Sequence, residues 1–366
     1  MRLRDVVNTP SELGIPPIWS PPGIAPHLRP DSGIRYVDQN TDRNPWSPLE
    51  PLIRAVVTMH PNFSFDTIDV MTDRRPIRKL FAFVSGDAEY FEFGVEVIGT
   101  TALFVRMEKQ TRDEIPPGAF QGYRRAFEEE YTKLSISAKG STSHHRVIHY
   151  NFGGLQFLVR SAVDAYVEDL TKTPEAPKAS DKHKGDDLIK YMKAASLGNA
   201  APSIVDRPEA PGLTVVHGGR NIPHAAVLEL KTCFKFAKKP FELQQKMPDL
   251  WISQTPNFVE AAHQNVGTKW SRKKDGQPRL AEFVKHEVKP MREELINWED
   301  ANATTLRKLL AVLRQVVEAA KAINAPCIVS YQREEAALWV TKAGRGMIPS
   351  MPEDLHKKWS VVAKSA

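Results

Sequence analysis

Cysteine is nearly absent: Cys233 and Cys327 are the only two in 366 residues. Their separation matches no metal-ligand spacing, which rules out a disulfide framework or a cysteine-based zinc site and points to a reducing compartment. No apolar run approaches the ~20 residues of a membrane span. The first residues, Met1 to Asn8, carry no apolar stretch of the secretory type. The expectation is an intracellular protein, nuclear or cytoplasmic, neither secreted nor embedded in a membrane. There is no Gly-rich phosphate loop; Gly153-Gly154 and Gly218-Gly219 read as turns. The nucleophile elbow of serine hydrolases is missing, as are internal repeats. Prenyl-diphosphate chemistry needs paired Asp-Asp-x-x-Asp motifs to hold magnesium diphosphate, and the chain has none.

What is present reads as a globular chain, with 41% hydrophobic and 26% charged residues. Its length allows one large domain or two ordinary ones. A net charge of +6 and a pI near 9.1 favour an anionic partner. Proline crowds residues 1–50, which read as an extended arm packed on the body, with Ile18, Trp19 and Trp46 as anchors. Residues 51–345 read as a single catalytic-type domain, and 346–366 as a C-terminal tail. Within the domain, residues 171–211 are rich in Lys, Asp, Ala and Pro and read as an exposed insertion. Period-two alternation marks a strand over Phe91–Val97, with Ala102–Arg106 as its partner. Leu306, Leu309, Leu310, Leu313, Val316, Val317, Ala320 and Ile323 form the stripe of one buried helix, with Thr304 or Thr305 as its N-cap. Strands follow at 327–331 and 336–340.

Three segments carry candidate chemistry. The apolar run Ala226–Thr232 contains Glu229-Leu230-Lys231. In a strand, Glu229 and Lys231 share one face and Leu230 takes the other. A carboxylate and an ammonium so placed suit a site where Mg²⁺ or Mn²⁺ activates water against a phosphate; a surface ion pair gives the same pattern. A second strand-like run, Leu155–Tyr166, contains Asp164. If the two strands are neighbours, Asp164 and Glu229 can share a cation. The third segment, Gln121–Glu130, reads as helix and offers several acids. Elsewhere, basic and aromatic residues interleave over 269–289, where Lys273 and Lys274 are candidates for RNA phosphates and Trp270 and Phe283 for stacking. His144, His145, Arg146 and His149 have no third soft ligand at useful spacing and read as structural or phosphate-facing.

In this order, the three segments resemble the decapping exoribonuclease (DXO-type) family of RNA 5′-end-processing enzymes, which carries Gly-aromatic…Phe-Glu, Glu-x-Asp and Glu-hydrophobic-Lys motifs. Here they read Gly122-Tyr123…Phe127-Glu128, Ala162-Val163-Asp164 and Glu229-Leu230-Lys231. Val70–Leu80 resembles the family's early Thr-x-Arg segment, and Leu250–Pro256 its Trp-Ala-Gln-Ser segment. The chain resembles in particular a divergent fungal group often mislabelled geranylgeranyl diphosphate synthase, a label the missing Asp-rich motifs reject. The resemblance implies an α+β fold of mixed, mainly antiparallel sheets flanked by helices, related to the PD-(D/E)xK nuclease core. It implies Mg²⁺ or Mn²⁺ held by Glu128, Asp164, Glu229 and the Leu230 carbonyl, with Lys231 and Gln254 at the nucleophilic water or scissile phosphate and Arg74 at the RNA 5′ end. The substrates would be capped, triphosphate, NAD-capped or monophosphate RNA 5′ ends, with an exoribonuclease as a further partner. Two departures stand out. The first acid of Glu-x-Asp is Ala162, and the longer spacing in the first motif leaves Glu129 as an alternative to Glu128. The implied activity is thus a metal-dependent RNA 5′-end hydrolase, weakened at Ala162. The alternatives are a catalytically degenerate RNA-binding or scaffold protein on the same fold and, more distantly, a DNA nuclease.

Overall fold

A computed structural model describes residues 15–116, 119, 122–138, 140–171, 213, 220–266, 280–344 and 350–359. The described chain runs β1 (Ile18–Trp19), β2 (Gly33–Tyr36), α1 (Gln39–Arg43), α2 (Glu50–Met59), β3 (Val70–Asp73), α3 (Arg74–Ser85), β4 (Phe91–Ile98), β5 (Thr101–Arg106) and β6 (Arg112–Ile115). It continues with α4 (Arg124–Tyr131), β7 (Thr132–Lys133), β8 (His145–Phe152), β9 (Leu155–Ala162), β10 (Ala165–Tyr166), β11 (Val227–Phe234) and α5 (Met247–Ile252). The last elements are β12 (Asn257–Asn265), β13 (Ala281–Lys285), β14 (Val288–Pro290), α6 (Arg292–Ala301), α7 (Ala303–Ile323), β15 (Cys327–Gln332), β16 (Ala337–Lys342) and α8 (Glu353–His356).

The first large sheet has the order β16-β15-β4-β5-β3-β9-β8. Only β3 runs parallel to its neighbours, β5 and β9; the other pairs are antiparallel. The predicted meander is β4 and β5. Gly99 turns between them at φ +58°, and a Cβ there would sit 3.1 Å from Trp359. The predicted helix stripe is α7: Leu306, Leu309, Leu310, Leu313, Val316, Val317 and Ala320 are buried against Phe93, Phe104, Phe157 and α3. Asn302 rather than Thr304 or Thr305 takes the N-cap position, because the helix begins at Ala303. The opposite face of this sheet is covered by α2 and by Met351, Leu355 and Trp359.

The second sheet has the order β13-β12-β11-β10-β1-β7, with β14 also on β12. The β11–β12 and β1–β10 pairs are parallel and the rest antiparallel. A two-stranded sheet, β2–β6, completes the α+β architecture. The N-terminal segment supplies β1, between β10 and the edge strand β7 of the second sheet, and Trp19 packs on Phe127, Tyr131 and His286. Trp46 is no anchor: it is 72% exposed. Phe283 is buried in the aromatic core beneath α4, which removes it as a stacking surface. The run 155–166 is not one strand ending in Asp164. It is β9 in the first sheet, then Val163 and Asp164, then β10 in the second. Asp164 therefore lies where the chain passes from one sheet to the other.

Candidate functional site: a buried carboxylate and cation centre

The first four residues of β11 are all buried, and Lys231 after them is exposed. Val227, Leu228 and Leu230 join the core, while Glu229 is drawn inside, 3% exposed, by cations that meet it there. The antiparallel register Ala165↔Leu228 and Tyr166↔Val227, carried one residue further, sets Asp164 opposite Glu229. Asp164 Oδ2 accepts the Leu230 backbone N–H at 2.8 Å. Helix α4 brings in Glu128, held over the sheet by its buried neighbours Phe127 and Tyr131. Glu128, Asp164 and Glu229, from one helix, one sheet crossing and one strand, thus lie near enough for the charges of Asp164 and Glu229 to act on Glu128. Glu129 is exposed, whereas Glu128 pairs with Arg124.

Cations fill the same space. Arg124 Nε donates to Glu128 Oε1 at 2.6 Å, and its Nη2 donates to Asp164 Oδ1 at 3.0 Å. Arg74, the first residue of α3, reaches Glu229 Oε2 at 3.1 Å. Lys246 Nζ lies 2.6 Å from Glu229 Oε1 and 3.2 Å from Asp249 Oδ2. The Lys231 ammonium sits 5.9 Å from the centre of the Phe241 ring, and the charges of Lys246 and Arg124 act on it.

The electrostatics divide the acids. Burial and the Asp164 charge push the Glu128 carboxyl up to about 7 against the pull of Arg124, although its side chain keeps 30% of its surface. Burial raises Asp164 as well, opposed by Arg124 and reinforced by Glu229. Burial would raise Glu229 too, but Arg74 and Lys246 hold it well below the usual carboxylate range. Burial lowers Lys231, with Lys246 and Arg124 adding to the effect. Glu229 is thus a fixed anion, whereas Glu128 and Asp164 compete for one guanidinium.

Other expected site residues fall differently. Leu230 contributes its N–H to Asp164. Gln254 follows α5 with φ +50°, a left-handed conformation that costs a non-glycine residue roughly 1–3 kcal/mol. Its amide donates to the Trp251 carbonyl, and His224 Nε2 donates to its backbone carbonyl. Gln254 makes no described hydrogen bond to the three carboxylates. His145 pairs with Asn40 and His149 with Gln156, which are structural contacts on β8. Ala162 ends β9, exposed and opposite His145. Lys273, Lys274, Trp270 and the insertion at 171–211, apart from Thr171, lie outside the described residues. Sequence reasoning missed Arg124, Lys246 and His224. Arg124 alone left a signal, four residues before Glu128 on one helix face.

A divalent cation would require three or so oxygen ligands around one point. Among the described residues no group of three or more His, Cys, Asp or Glu is so placed. Arg124 lies between Glu128 and Asp164, and Arg74 and Lys246 occupy both oxygens of Glu229. The set of acids suits Mg²⁺ or Mn²⁺ in charge, but this arrangement does not fit the ion. Among the described residues no helix is long and apolar enough to cross a membrane.

The fold has solved counterparts. Rai1 of Scheffersomyces stipitis superposes with a TM-score of 0.52 at 12% identity, over 91% of this chain and 87% of that one. The same protein in complex with (3′-NADP)⁺ and calcium ion gives a TM-score of 0.51 at 12% identity, over 91% and 90%. At this identity the likeness is one of fold. No curated protein matches the sequence. A family described as Domain of unknown function (DUF8563) matches residues 7–359, and the chain belongs to it.

Proposed function

We propose that this member of the domain-of-unknown-function family binds the phosphorylated 5′ end of RNA in the cleft at β11, α3, α4 and α5. The observation that carries the reading is the gathering of Arg74, Arg124, Lys231 and Lys246 about Glu229 and Asp164. Guanidinium and ammonium groups held by carboxylates are also phosphate ligands, and an incoming phosphate exchanges one anion for another. Arg74 opens α3, whose first turn has no acidic residue, so the helix N-terminus adds to the attraction. The fold counterpart bound to (3′-NADP)⁺ supports a phosphorylated dinucleotide as the kind of ligand such a cleft accepts. Ala162 in place of the acid, together with the ion pairs on all three carboxylates, supports binding over turnover.

The test is fluorescence anisotropy with 3′-labelled RNA bearing a 5′-triphosphate, 5′-monophosphate or 5′-hydroxyl, in EDTA. Tighter binding of the phosphorylated ends, with a salt slope that Arg74→Ala reduces by about one unit per lost phosphate contact, is expected. Equal affinity for all three RNAs would remove the reading.

Hydrolysis at the 5′ end is the second reading, favoured by the competition of Glu128 and Asp164 for one cation. Release of cap, pyrophosphate, NAD or nucleotide from the corresponding RNA with Mg²⁺ or Mn²⁺, abolished by Glu229→Ala, would establish it. Intact RNA with every substrate would exclude it.

A further inference from the structure

In this centre Arg124 occupies the place a shared cation would take. One guanidinium face joins two acids from different elements, Glu128 on α4 and Asp164 at the sheet crossing, at 2.6 and 3.0 Å. The planar fork of arginine suits such bridging, and a lysine ammonium does not reproduce it. Asp164 cannot turn aside to meet another ligand without losing the Leu230 N–H on its second oxygen. Glu229 cannot help, because Arg74 and Lys246 hold both its oxygens. Ala162 adds no acid where the resembling motif has one. The Arg124 side chain is 56% exposed, so it stands on the solvent side of the two acids and has open space to leave.

We propose that Arg124 is a built-in counter-cation that takes the place of a hard divalent cation between Glu128 and Asp164, so that metal binds only where the guanidinium is displaced. The proposal deepens the reading of this cleft as a 5′-phosphate site. It explains how the carboxylate pair stays neutralised without an ion and makes Arg124 the residue a phosphate would draw away. Mn²⁺ and Arg124 then compete for the same oxygens, and a divalent ion gains access when the arginine is removed.

The experiment is a Mn²⁺ titration of the full chain followed by electron paramagnetic resonance of the free ion, with no RNA present. Wild type is expected to bind Mn²⁺ weakly, and Arg124→Gln to bind it at least about tenfold more tightly, since a unit positive charge beside both ligands is gone. Adding Asp164→Asn to Arg124→Gln should return the affinity to the wild-type level. Wild type binding Mn²⁺ as tightly as Arg124→Gln, or a folded Arg124→Gln with no gain, overturns the proposal. If Arg124→Gln does not fold, Arg124→Lys makes the same distinction with a smaller gain, because its ammonium holds one acid and not both. A folded Arg124→Lys with no gain counts equally against the proposal. RNA affinity in EDTA is measured on the same preparations. No 5′-phosphate preference in the wild type, with the Mn²⁺ gain of Arg124→Gln intact, removes the RNA reading and leaves the arginine's role standing.

Discussion

Asp73 and Arg74 are adjacent in sequence yet enter two buried charge clusters of different character. Asp73 turns into the first sheet and meets Arg160 on β9, at 2.6 Å to Nε and 3.0 Å to Nη2, with both side chains nearly enclosed. Arg160 also donates to the Pro48 carbonyl, which ties the N-terminal region to β9. One acid, one base and one carbonyl share the hydrogen bonds, and Arg106 and His145 add their charges beside Asp73. Arg74 turns the other way and meets Glu229, where acids and bases from four elements crowd together and the edge is open at Arg124. The first cluster holds strands β3 and β9 and their loops. The second contains more charge than packing requires, since apolar residues of similar volume would fill such a space without the desolvation cost. Charge retained beyond structural need is what the proposed 5′-phosphate site would use.

The largest expected effect breaks the first cluster. Arg160→Met leaves Asp73 buried without its partner and should cost about 3–5 kcal/mol in urea unfolding. A loss below about 1 kcal/mol would erase the contrast between the clusters. Next comes Glu229→Gln. Lys246 keeps Asp249 at 3.2 Å, so part of the charge balance survives and the expected loss is about 1–3 kcal/mol. A loss as large as that of Arg160→Met would make the second cluster as structural as the first.

A pH-dependent effect belongs to His145, which faces the Arg160–Asp73 pair and bonds Asn40. Burial, then the Arg160 charge, lowers its pKa from 6.5 to about 4. The unfolded chain binds the proton between these values and the folded chain does not. Stability from the neutral imidazole is therefore complete above the unfolded pKa and lost as pH falls through the folded one. The slope it adds is at most about 1.4 kcal/mol per pH unit. Unfolding free energies of wild type and His145→Gln across this window should converge toward its acidic end; parallel curves would refute the assignment. The smallest effect is the stability cost of Arg124→Gln, about 1 kcal/mol, because more than half of the arginine side chain is exposed while Asp164 keeps the Leu230 N–H. A larger cost would make Arg124 part of the scaffold and weaken its role as an exchangeable cation.

Much of this was legible in the chain. Residues 91–106 and 303–323 follow periods of two and about 3.6 that depend on neighbours in sequence, and they fold accordingly. Glu229 and Lys231 could be set on one strand face, and the motif order brought Glu128 and Asp164 into the same site. The run 155–166 misled because an apolar pattern continues across Asp164 while the backbone changes sheets there. Trp46 misled because an aromatic among prolines reads as an anchor wherever its ring points.

The sequence alone determined most of the elements and their apolar faces, since these depend on local periodicity and residue type, while the choice of the three acids came from the resemblance in motif order. Tertiary structure decided what those acids meet. The opposition of Asp164 to Glu229 is a register between segments 65 residues apart in number, and Lys246 reaches Glu229 only through the placement of α5. Coulomb interaction falls with distance in space and takes no account of distance along the chain. Whether a carboxylate holds a metal ion or an arginine is therefore set by the fold.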